Sequence, residues 1–137
     1  MTLTRFSLVV SLLAWSLTAG AQTAATKTYI VELVDPPAAT YAGGVSGLAA
    51  TRPVAGSKID VAAPNVRAYL NYLSIRRSAE LARLGGSLPV LHTYGVTFNG
   101  FSAKLTDAQA QALKTSVGVR TVTRSERVRA DTTTTPT

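Results

Sequence analysis

The chain has 137 residues, with 14 Lys+Arg against 7 Asp+Glu, one His and no Cys, a length that suits a single domain. Without cysteine there are no disulfides, thiolate zinc sites or cysteine nucleophiles, and a lone histidine, His92, excludes a His-rich metal site. The net charge of +7 admits an anionic partner without specifying a fold, and together these counts speak against a self-sufficient enzyme.

Met1–Arg5 carries one positive charge, Phe6–Leu17 is uncharged and apolar, and Ala19-Gly20-Ala21 places small residues before Gln22. This is the order of a secretory signal peptide, with cleavage expected between Ala21 and Gln22. As a helix, the apolar run reaches only about 18 Å, short of the roughly 30 Å of a bilayer core. The expected mature protein is exported, to the medium or the periplasm, and is free of the membrane once its leader is removed.

Lys27–Val34 (KTYIVELV) is rich in β-branched and aromatic residues and stops at Asp35-Pro36-Pro37, the pattern of a strand. Tyr29, Val31 and Leu33 point one way, Ile30 and Val34 the other, and only Glu32 interrupts the second face. From Ala38 to Pro64 neither a period of 2 nor one of 3.6 is present, so 38–63 reads as a long loop insertion. Gly43-Gly44 lacks the Lys-Ser/Thr of a phosphate-binding loop. Loops this long in compact domains are usually functional or partly disordered.

Pro64–Leu84 reads as a helix, with Pro in its first turn and Gly85-Gly86 at its end. Val66, Leu70, Leu73 and Leu84 fall within about 40° of one another on a helical wheel. Tyr69 and Leu81 flank this stripe, Arg77 interrupts it and Ile75 points away. Arg67, Arg76 and Arg83 make the outer face basic. Leu88–Tyr94 and Val96–Leu105 read as two strands turning at Gly95, with a bulge expected at Asn99-Gly100. Phe101, Ala103 and Leu105 alternate with Ser102 and Lys104, as a half-buried strand requires.

Thr106 and Gln109 form a capping box for a second helix, and Asp107 suits its positive N-terminus. Ala110, Leu113 and Val117 make its expected inner face, and Gly118 ends it. Val119–Val128 is the last strand, its pair Val119 and Val122 spaced for a bulge. The order strand-helix-strand-strand-helix-strand predicts a ferredoxin-like split β-α-β fold in the α+β class. Its four-stranded antiparallel sheet carries both helices on one face. The other face is left open. A first strand apolar on both sides points to a partner there, and Tyr29 and Val31 are the expected contact residues.

For chemistry, His92, Asp107 and a serine such as Ser102 are the parts of a triad without its geometry, since Ser102 lies in a strand and not in a strained elbow. Scattered carboxylates give no metal-ligand spacing, so no metal and no cofactor are expected. Arg120, Arg124, Arg127 and Arg129, with Phe98 and Phe101 nearby, raise an RNA-recognition reading. FNGFSAKL departs from that module's pattern, and Phe101 is better placed in the core. Arginines on an edge strand solvate it and deter pairing, and no nucleic-acid partner is expected.

KTYIVELVDPP after a leader, the YAGGVSGLAATRP insertion, APNVRAYLNYL, LHTYGVTFNGFSAKLTDAQAQAL and GVRTVTRSERVRADTTTTPT together resemble one family. It is the N-terminal propeptide, of the inhibitor I9 type, of secreted subtilisin-like (peptidase S8) serine proteases. The most specific segments are N-G-F-[SA]-A-x-L-[TS] at Asn99–Thr106 and Thr-Thr-x-Thr-Pro at Thr132–Pro136. The resemblance implies a domain over 22–131 that templates folding of the protease and is then cut from it. The domain stays bound as an inhibitor, its open sheet face on protease helices and its C-terminal segment extended in the substrate cleft. Carried onto this chain, processing falls between Asp131 and Thr132. Asp131, Ala130, Arg129 and Val128 then occupy successive subsites, with Val128 as the apolar anchor. Residues 132–137 become the start of a mature protease or a disordered tail.

The expected partner is a subtilisin-like protease domain, in cis or in trans, and the chain itself is expected to be non-catalytic. The expected natural form is the leading fragment of a longer precursor. The alternatives are a free-standing subtilase inhibitor and an exported protein-binding module that acts through its open sheet face.

Overall fold

The computed structural model describes residues 24–85 and 88–126. Six elements follow in order: β1 (Lys27–Leu33), α1 (Pro64–Ala82), β2 (Val90–Tyr94), β3 (Gly100–Leu105), α2 (Asp107–Lys114) and β4 (Val119–Arg124). The strands form one sheet in the order β2-β3-β1-β4, and every neighbouring pair is antiparallel. This is the expected split β-α-β arrangement.

Alternation along the central strands sorts their side chains. Val31, Phe101, Ala103 and Leu105 are fully buried, and Tyr29, Leu33, Val119 and Val122 nearly so. They share one core with Ala110 and Leu113 of α2, against which Leu81, Leu84, Leu88 and Val90 also pack. Helices therefore cover the face of the sheet that carries Tyr29, Val31 and Leu33. Two register shifts adapt the edge strands. Val31 faces Val122 while Leu33 faces Val119, so β4 holds an extra residue between its two core valines. This is the bulge that their spacing allows. A second shift separates Val90 from His92 in β2.

Several boundaries move from their sequence-based positions. Helix α1 ends at Ala82, with Gly85 taking φ +73° just beyond it. Gly95–Asn99 is the hairpin loop itself, not a turn at Gly95 followed by a bulge, because Tyr94 pairs directly with Gly100. Asn99 is buried there: its backbone carbonyl accepts from Leu33 N at 2.9 Å, and its Nδ2 donates to the Asp35 carbonyl at 2.9 Å. A Cβ at residue 100 would collide with the Val31 carbonyl oxygen, so Asn99-Gly100 is a tether followed by a close backbone approach. The capping box forms with both of its bonds, Thr106 N to Gln109 Oε1 and Gln109 N to Thr106 Oγ1. Helix α2 nevertheless ends at Lys114. Val117, expected on its inner face, therefore sits on the following turn and is 86% exposed.

The 38–63 insertion lacks regular secondary structure, as its composition predicts, but it packs. Ala38 and Tyr41 form a second buried cluster with Val66, Tyr69 and Leu73 of α1. The Tyr41 and Tyr69 rings stack at 3.7 Å. Thr51 N and Arg52 N both donate to the Tyr41 carbonyl, and Thr51 Oγ1 donates to the Ala38 carbonyl at 2.5 Å. Helix α1 thus serves two clusters: its first half holds the insertion, and Leu81 near its end reaches the sheet.

Candidate docking site on the open sheet face

With the helices on one side, the outward residues of β1 are Thr28, Ile30 and Glu32. In register beside them stand Lys104, Ser102 and Gly100 of β3, and Thr123 and Thr121 of β4. His92 and Tyr94 of β2 lie opposite Ser102 and Gly100. Tyr29 and Val31, expected as the contact residues of this face, are instead core residues at 8% and 0% exposure. The strand is two-sided, as its composition says, but the covered side is theirs. The open side carries Ile30, Leu91 and Tyr94, each about two-fifths exposed.

The bulge in β2 shapes this surface. An extra residue between Val90 and His92 turns Leu91 toward the open side beside His92. A shallow groove of about 310 Å³ results, lined by Thr28, Ile30, Leu91, His92, Tyr94, Ser102 and Ser125. His92 and Tyr94 stand 6.4 Å apart, and Phe98 from the hairpin loop meets the Tyr94 ring edge-on at 5.7 Å. Phe98 therefore lies off the strand on which a base-stacking reading would need it, and Phe101 is in the core. A smaller cleft of about 210 Å³ lies between the exit of β1 and the hairpin loop. Its charged groups are already engaged, Asp35 with Arg76 at 3.1 Å and Glu32 with Arg120 at 3.5 Å.

The candidate triad residues are not assembled. Asp107 accepts from Lys27 Nζ at 2.7 Å and from the Tyr29 hydroxyl at 2.6 Å, on the helix side of the sheet, whereas His92 and Ser102 are on the open side. The Lys27 ammonium, then the Tyr29 hydroxyl, hold the Asp107 carboxyl below the usual range. The same hydrogen bond to Asp107, with burial, raises the Tyr29 phenol. This is a latch between β1 and α2, not a catalytic set. Among the described residues no group of three His, Cys, Asp or Glu is placed to hold a metal. None of the described helices is long and apolar enough to cross a membrane.

Two charged residues that sequence reading undervalued sit on the inner side of α1. Arg77 is half-buried and donates from Nη2 to the Tyr94 carbonyl at 3.0 Å, and burial lowers its guanidinium. Glu80, buried at 5% exposure, accepts from Ser116 Oγ at 2.5 Å and lies where a side chain at Gly118 would have to go. A glutamate among leucines gives no sequence signal of this, because its partner is 36 residues away. The remaining expected site residues lie outside the described residues: Ala21 and Gln22 at the leader cleavage, and Val128, Arg129, Ala130, Asp131 and Thr132 at the tail.

Residues 28–131 match the family model for peptidase inhibitor I9. The chain belongs to the peptidase inhibitor I9 family. This inhibitor domain is of the propeptide kind and is not catalytic. Relatives include two proteins of Arabidopsis thaliana. Subtilisin-like protease SBT2.5 is 35% identical over 112 residues, 80% of this chain and 14% of that protein. Subtilisin-like protease SBT2.6 is 34% identical over 116 residues, 83% of this chain and 14% of that protein. The chain thus matches only a small part of the length of these relatives. No solved structure gives a significant match. The resemblance carried by Lys27–Pro37, Asn99–Thr106 and the rest of the domain is in this way borne out at the level of the family.

Proposed function

We propose that this chain is an exported propeptide that assists the folding of a subtilisin-like serine protease and then inhibits it. The observation that carries the reading is the match of almost the whole domain to peptidase inhibitor I9, with relatives that are themselves subtilisin-like proteases. In this account the open sheet face lies against the protease surface. The segment after Glu126 runs extended in the substrate cleft, Val128 filling an apolar subsite and Asp131-Thr132 forming the processing junction. Backbone hydrogen bonds to an added strand supply affinity, and side-chain pockets supply selectivity. The exposed apolar residues Ile30, Leu91 and Tyr94 support the first contact. The domain spans 22–131, preceded by a leader that ends at Ala21, so it meets its protease outside the cytoplasm. Whether that protease is joined to it in the precursor or is a separate chain, the contact surfaces are the same.

The test is a titration of a purified subtilisin against the full chain and against a version ending at Glu126. Tight inhibition by the full chain and its loss in the shorter one is the expected result. Equal inhibition by both would remove the tail from the mechanism and leave a sheet-face binder. No inhibition by either, across several subtilisin-like proteases, would overturn the reading.

A further inference from the structure

Among the described residues, the groove on the open face contains a buried hydroxyl without a partner. Ser102 is only 4% exposed although its side chain is on the uncovered side of the sheet. Ile30 on one neighbouring strand and His92 on the other stand in register with it and screen it. Its Oγ has no hydrogen-bond partner among the described residues. Buried hydroxyls are nearly always paired, and a serine in mid-strand is neither a strong strand former nor a good filler of apolar space. Alanine would relieve both costs. The hydroxyl therefore carries a structural cost that no hydrogen bond within the described domain offsets.

The walls of the groove narrow what its partner is. Thr28, Ile30, Leu91, His92, Tyr94, Ser102 and Ser125 include no carboxylate, lysine or arginine, in a chain whose net charge is +7. An ion entering there would lose its hydration without gaining a counter-charge. The volume of about 310 Å³ is at the bottom of the roughly 300–1,000 Å³ range of small-molecule sites, and suits one protruding side chain. We infer that Ser102 is a specificity-determining residue of the docking face: once the exposed His92 ring turns aside, the serine hydroxyl receives the hydrogen-bonding tip of one uncharged, largely apolar side chain on the protease surface. Ile30, Leu91 and Tyr94 enclose the stem of that side chain. This rests on the propeptide-inhibitor reading above and adds to it the chemistry of the contact. Docking completes the bond that the free domain leaves unmade, so the group that weakens the free fold strengthens the complex.

The experiment uses the full chain with Ser102→Ala, which removes the hydroxyl and leaves the groove open, and with Ser102→Val, which also fills it. Each is titrated against subtilisin, and the thermal midpoint of each free chain is measured alongside. The inhibition constant is expected to rise about fivefold to tenfold for Ser102→Ala and about fiftyfold for Ser102→Val. Both midpoints are expected to stay level or to increase. Inhibition constants within twofold of the parent would overturn the assignment while leaving the propeptide reading intact. So would a loss of inhibition that merely follows a fall in the midpoint, since that is the signature of a structural role. If the parent chain itself fails to inhibit, the underlying reading falls and this assignment falls with it.

Discussion

Gly100 shows how one residue can hold an element in place. Any side chain there meets the Val31 carbonyl oxygen in the centre of the sheet, and neither strand can yield without breaking the β1–β3 pairing. Gly100→Ala is expected to destabilise the domain by about 1–3 kcal/mol or more, read as a lower urea midpoint at unchanged slope. Asp107 acts through pH instead. Its folded-state pKa is depressed, by Lys27 first and Tyr29 second. Its contribution to stability is therefore full above the ordinary carboxylate pKa and is lost as pH falls through the depressed value. Thermal midpoints measured from pH 5 down to pH 2 should fall more steeply for the parent chain than for Asp107→Asn. Parallel curves would show that the Lys27–Asp107–Tyr29 contacts add nothing to the fold.

Among the elements, the strands and α2 were legible because their signals are local. The alternation in Phe101–Leu105, the capping box at Thr106 and Gln109, and the two-sided run of β1 each lie within a few residues and carry their own physics. The hairpin was misplaced because Gly95 is a strong turn residue, whereas the reason for Gly100 is a carbonyl on another strand. The inward side of β1 was equally invisible. Both sides are apolar, and only the three-dimensional position of α2 decides that Tyr29 and Val31 are covered while Ile30 is not. The insertion gave no periodic signal because it packs through isolated residues. Tyr41 lies alone among Gly, Ala and Ser, yet it stacks on Tyr69 and its hydroxyl both accepts from Val45 N at 2.9 Å and donates to the Leu48 carbonyl. Tyr41→Ala should cost about 3–5 kcal/mol by the behaviour of large buried aromatics. Chemical denaturation with a probe in α1 checks it, and a cost below 1 kcal/mol would mean that the insertion does not brace the helix.

On the scale of the whole molecule, one sheet face is covered by the helices, and the proposed function assigns the other to a protease. The second cluster built by the insertion adds buried area to a chain too small to have much to spare. The free domain should accordingly unfold in one cooperative thermal transition, followed by circular dichroism, without any protease present. A featureless melt would show that binding is needed to complete the fold. The uncovered face, with its uncharged groove and the chain leaving β4 at Ser125 beside it, is where the proposed function places the protease.

That division is tested most directly by photo-crosslinking. A benzophenone side chain is placed at position 94 on the open face of one version of the full chain, and at position 75 on the outer face of α1 in another. Ile75 is 61% exposed and Tyr94 39%, so both positions accept the probe. Irradiated with subtilisin, the position-94 chain should become covalently joined to the protease and the position-75 chain should not. Crosslinking from position 75 alone would place the protease on the helical side and contradict the account.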